Sequence, residues 1–239
     1  MDDIILRSNF PVSAYDKIKE YSNIIGVKPQ FIPCFDTIVV DLLQQRIDLR
    51  LDIPGPSVPG DVQTIAAQRL LSKFNELSLA GSGMSVVGLK SFNFMPLLQP
   101  LYQDKDAGKV IALGFTAISE DSDSNNHGKP LRKKGVDLRI EGFHKHGAAG
   151  VKDVRPYTIA VAWTAAGGSR TIEIEIPGSV QALYKSRALT VVNFIGCIDV
   201  TEYEFLTEII EKYSELAANL AKQAAKKAQD ALSDVVAVV

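Results

Sequence analysis

Polar and apolar positions alternate most cleanly between Tyr157 and Ile176, YTIAVAWTAAGGSRTIEIEI. Two period-two runs flank Ala-Ala-Gly-Gly-Ser, the pattern of a β-hairpin. The first arm puts Tyr157, Ile159, Val161 and Trp163 on one face. The second puts Ile172, Ile174 and Ile176 on one face and Thr171, Glu173 and Glu175 on the other, which is expected to meet water. Further strands are predicted at 85–94, 109–118, 136–144 and 188–198, separated by glycine and proline turns. The polar run 119–135 between them is expected to be an exposed loop.

Helical spacing appears at both ends of the chain. Tyr15, Ile18, Tyr21, Ile24 and Ile25 predict a short helix over 13–25, with Ser13 as its cap. Ile47, Leu49 and Leu51 alternate with charged residues and predict a strand with one wet face, whereas 53–61 is too rich in proline and glycine to be regular. Asp61 is placed to cap a helix through Leu79 that buries Ile65, Leu70, Leu71, Phe74 and Leu77. Near the C-terminus Thr201 and Glu204 fit a capping box, followed at gaps of four and three by Leu206, Ile210, Tyr213, Ala217, Leu220 and Ala224. That narrow seam predicts a helix of about 30 residues, roughly 45 Å long, whose alanine-rich distal half projects or meets a partner.

Together these elements predict an α+β fold, an antiparallel β-sandwich or barrel-like core with N-terminal helices and a long C-terminal α-helix. Residues 1–80 form a mixed part packed on the core, 81–200 the antiparallel β core, and 201–239 the amphipathic helix. Composition leaves the class unchanged: 46% hydrophobic and 23% charged residues suit a globular chain. With 26 Lys and Arg against 28 Asp and Glu, any nucleic-acid site must be local. No apolar run approaches a transmembrane span, and no basic, apolar leader opens the chain. An intracellular setting, cytoplasmic or nuclear in a host cell or within a virion, is the expectation, with Cys34 and Cys197 reduced.

Candidate chemistry is sparse. His144 and His146 lie two apart in a predicted strand and could share a metal, yet two ligands do not make a zinc site. Gly81-Ser82-Gly83 follows a helix, the wrong context for a phosphate loop, and Glu173 and Glu175 read as solvated. No cofactor is expected. Charge is more informative: eight cations stand against three carboxylates over 128–155. Of these, Lys129, Arg132, Lys133, Lys134, Arg139 and Lys145 are the candidates for holding nucleic acid or an anionic membrane surface. Leu206, Ile210, Tyr213, Ala217 and Leu220 are the candidates for homo-oligomer formation, since an apolar seam must be covered.

The combination of a β core, a basic segment, a long helix and no catalytic signature points to a non-enzymatic assembly protein of viral matrix or capsid type that self-associates and touches an anionic partner. A nucleic-acid-binding protein of the viral movement type is the alternative. A metal-dependent enzyme using His144 and His146 is the third.

Overall fold

The computed structural model describes residues 4–7, 24–27, 35–43, 46–53, 60–86, 90–118, 125–127, 131–133, 135–151 and 153–236. The chain divides into two units, Met1–Leu89 and Lys90–Val239. In the first, β1 (Ile4–Arg7) and β2 (Ile24–Val27) pair in parallel, β3 (Thr37–Asp41) and β4 (Arg46–Arg50) pair antiparallel, and α1 spans Gly60–Ser82. The helix expected over 13–25 falls outside the described residues except for its last two positions, which are strand. Residues of β4 are all half-buried, so its alternation does not separate a wet face from a dry one. In α1 the expected buried face is open: Ile65, Leu71 and Leu77 are exposed. Gly83, at φ +70°, ends this helix by donating to the Leu79 carbonyl at 3.1 Å.

The second unit is built on one antiparallel sheet. Its strands are β5 (Lys109–Ile118), β6 (Asn125–His127), β7 (Leu131–Arg132), β8 (Asp153–Thr164), β9 (Thr171–Ile176) and β10 (Asn193–Ile195), in the order β10-β9-β8-β5-β6. Strands β6 and β7 share the outer edge of β5, so the sheet is five positions wide and does not close into a barrel. Nor does a second sheet stack on it among the described residues of this unit. Helices fill that role: a 3-10 turn (Met95–Leu97) leading into α2 (Leu98–Gln103), and α5 (Val200–Val236). Two short helices, α3 (Gly142–Ala149) and α4 (Val180–Tyr184), complete the unit.

Alternation explains the core. Ile159, Val161, Ile172, Ile174 and Ile176 point to one face of the β8–β9 hairpin and meet Leu97, Leu101, Leu206 and Tyr213. The opposite face is drier than its glutamates suggest, because Ile111, Ala160 and Ala162 form a small buried cluster there. Two irregularities keep the pattern in phase. Ile111 is an extra residue between Val110 and Ala112, and Tyr157 is an extra one opposite the Gly114–Phe115 step. The second bulge accommodates Pro156 inside β8, where a regular ladder would lack its N–H. Gly114 is required at that point, since a Cβ would lie 2.6 Å from the Tyr157 ring.

Three predicted strands are corrected. Residues 90–94 have no ladder; Asn93 instead accepts from the Leu189 amide at 3.0 Å, and the Phe94 amide donates to the Leu189 carbonyl at 2.8 Å. Only 193–195 of the run 188–198 is strand. The run 136–144 is a turn followed by α3, and the described parts of 119–135 include two short strands.

Candidate functional site: the cationic segment and the C-terminal helix

Arg132 lies on β7 opposite Ala112, which pairs with Ala160, which pairs with Glu175. Two alanines in that row leave a low lane across the sheet, and the long side chain reaches β9 through it. Its Nη2 donates to Glu173 Oε2 at 2.5 Å and its Nη1 to Glu175 Oε1 at 3.4 Å. Glu173 is buried, and a carboxylate taken out of water requires such a partner. The expectation that Glu173 is merely solvated is therefore corrected.

Lys133 and Arg139 are also committed within the fold. Lys133 pairs with Glu141 at the start of α3. Arg139, whose side chain is 8% exposed, donates to Asp137 Oδ2 at 2.7 Å and to the carbonyls of Asp104 and Gly108. Burial works to raise the Asp137 carboxyl, but hydrogen bonds from Arg139 outweigh it and hold the group below its usual range. Lys145 is exposed on α3, while Lys129 and Lys134 lie outside the described residues. Arg132, Lys133 and Arg139 thus tie the edge of the sheet together; they do not form an open anion cradle.

Helical structure over Gly142–Ala149 separates the two histidines, since residues two apart on a helix point to nearly opposite sides. His144 is buried against Phe115 and shares a 2.9 Å hydrogen bond between Nε2 and Tyr102 Oη. Burial lowers its pKa, against the pull of Glu141. His146 is exposed, and its Nδ1–H donates to the Gly142 carbonyl at 2.6 Å. The shared face that an extended strand would give the two histidines is absent, because the segment is helical. Among the described residues no three His, Cys, Asp or Glu side chains are grouped to hold a metal ion. An open groove of about 420 Å³ is walled by Met95, Leu98, Pro156 and Leu183. Its charged groups satisfy each other, with Arg155 Nε donating to Asp153 Oδ2 at 2.7 Å.

The cap of helix α5 lies two residues before the expected one. Asp199 Oδ1 accepts from the Glu202 amide at 2.9 Å, and Glu202 Oε2 accepts from the Ile198 amide at 3.0 Å. Glu202 also pairs with Arg170, which donates to the Gly196 carbonyl at 2.5 Å and so fixes the helix start to the hairpin loop. Further along, Tyr213 Oη donates to Asp104 Oδ2 at 2.6 Å. Burial and the Asp104 carboxylate push the phenol well above its usual range, and the same hydrogen bond holds Asp104 low.

These anchors decide what the seam does. Leu206 and Tyr213 are completely buried in the chain's own core and Ile210 packs partly against it, while Ala217 is also buried. Within the chain, the sheet and α2 already cover them. Leu220 is 45% exposed, and every residue from 218 to 229 is exposed. No helix among the described residues is long and apolar enough to cross a membrane. Comparison with protein-family models, curated proteins and solved structures finds no match, so the function must be argued from this geometry alone.

Proposed function

We propose that the chain is a non-enzymatic assembly protein that self-associates through the distal part of α5. The observation that carries this reading is the continuation of α5 past its own core. The helix has 37 residues, about 55 Å at 1.5 Å each, yet its burial stops at Ala217. Alanine-rich sequence favours the helical state, but a run of exposed helix gains nothing from tertiary packing in its own chain. Leu220 and Ala224 keep the four-three spacing of the buried seam, and a second chain is the cover that this spacing suits.

Contact with nucleic acid or an anionic membrane is not supported by Arg132, Lys133 or Arg139, whose charges are used internally. Such contact would have to rest on exposed cations such as Lys145. Self-association is tested by light scattering on the full chain over a concentration series. The expected native mass rises above the 26.0 kDa of one chain. A mass of one chain at every concentration contradicts the proposal.

A further inference from the structure

Helix α3 depends on one buried side chain. Of the residues of Gly142–Ala149 whose exposure is described, only His144 is buried, while Lys145, His146 and Ala149 are exposed. The helix has little stability of its own. It is eight residues long and includes Gly142 and Gly147, and glycine is among the poorest helix formers. The Lys145 amide donates to the Glu141 carbonyl and His146 Nδ1 to the Gly142 carbonyl, bonds that stay within the segment. What joins α3 to its neighbours is the His144 ring, with Nε2 2.9 Å from Tyr102 Oη of α2 and its centre 5.1 Å from that of Phe115 of β5. A second link, the Glu141–Lys133 pair, holds the cap that precedes the helix. No described apolar residue of α3 belongs to the main core, so Ile159, Val161, Ile174 and Leu206 stay covered without it.

This pocket suits a neutral imidazole. An imidazolium carries two N–H donors, yet Tyr102 Oη is one acceptor and Nδ1 has no hydrogen-bond partner among the described residues. From α2 the titratable group that faces the ring is Tyr102, and β5 presents the uncharged Phe115. The Arg139 guanidinium, close enough to Tyr102 to act on its phenol, has the wrong sign to help. Glu141 alone favours the protonated ring, and Lys133 already pairs with that carboxylate. We propose that α3 is an acid-released latch: protonation of His144 undocks Gly142–Ala149 from Tyr102 and Phe115 while the sheet stays folded. The open form takes up the proton more readily than the docked one, so falling pH draws α3 outward. Above the ordinary histidine value of about 6.5 the latch is closed and insensitive to pH. Release bares the Tyr102 and Phe115 rings, an aromatic surface that docked His144 covers.

Hydrogen exchange on the full native chain between pH 7.5 and 5, corrected for the intrinsic pH dependence of amide exchange, reads the latch directly. Protection of the α3 amides should be flat above about pH 6.5 and then fall about three- to tenfold per pH unit, ten being the limit for one proton. Amides of β8 and β9 should keep their protection over the same range. His144→Gln leaves a neutral group in the pocket and should remove the pH dependence. If that variant does not fold, the native chain still decides, because the His144 ring signals in NMR must titrate over the range in which α3 loses protection. Protection of α3 that ignores pH, or a loss that is equal in His144→Gln or shared by β8 and β9, overturns the proposal. Greater protection at low pH also overturns it, since the protonated ring would then be locking the helix down against Glu141.

Discussion

Arg139 shows how far a residue's role can lie from its charge. In the sequence it is one cation in a basic run; in the fold it closes a buried link between Asp137 and the carbonyls of Asp104 and Gly108. Replacing it with Ala leaves those part-buried acceptors without their partner, and is expected to destabilise the protein by about 3 kcal/mol in urea unfolding. Arg139→Lys should not restore the loss, since one ammonium cannot reach three acceptors in a fork. His144 gives a pH signature. Its folded pKa lies below the ordinary 6.5, so the unfolded state binds the proton first as pH falls. Stability is unaffected by this group above 6.5 and declines as pH drops from there toward the lower folded value. The acid loss from Asp104 and Asp137 begins only near their ordinary 3.8. Urea midpoints of the native protein should fall between pH 6.5 and 5, and His144→Gln should flatten that slope; an unchanged slope would show that His144 is not its source.

Among the elements, those with strong partners were legible and those without were not. Strands β5 and β9 end where alternation ends, because each lies inside the sheet and its pattern reports a real inner face. The run Val136–Glu141 alternates just as well, yet only Leu138 reaches the core and Ile140 is 71% exposed. Gly135 at φ +78° and the Asp137–Arg139 contact turn the chain there, and the Leu138 amide bonds to the Val110 carbonyl of β5 at 2.8 Å without extending into a ladder. Helix α5 was visible from its seam, but two starting signals compete at its N-terminus. Asp199 holds the cap, and Thr201 lies inside the first turn. Asp199→Ala should cost about 1 kcal/mol in urea unfolding, whereas Thr201→Ala should stay within about 0.5 kcal/mol. The reverse ranking would return the cap to Thr201.

On the scale of the whole molecule, the sequence marked both candidate regions but not how their residues are used. Ion pairs such as Arg132–Glu173 join positions 41 apart and depend on a lane of alanines that only the strand register creates. In the same way, the seam of α5 was evident from spacing, whereas the point at which its own core stops covering it depends on the width of the sheet and the position of α2. The most direct test compares native mass by light scattering for the full chain and for one ending at Ala217, at low and high salt. An oligomer for the full chain and a folded monomer for the shortened one is the predicted result; equal masses for the two chains would contradict the account.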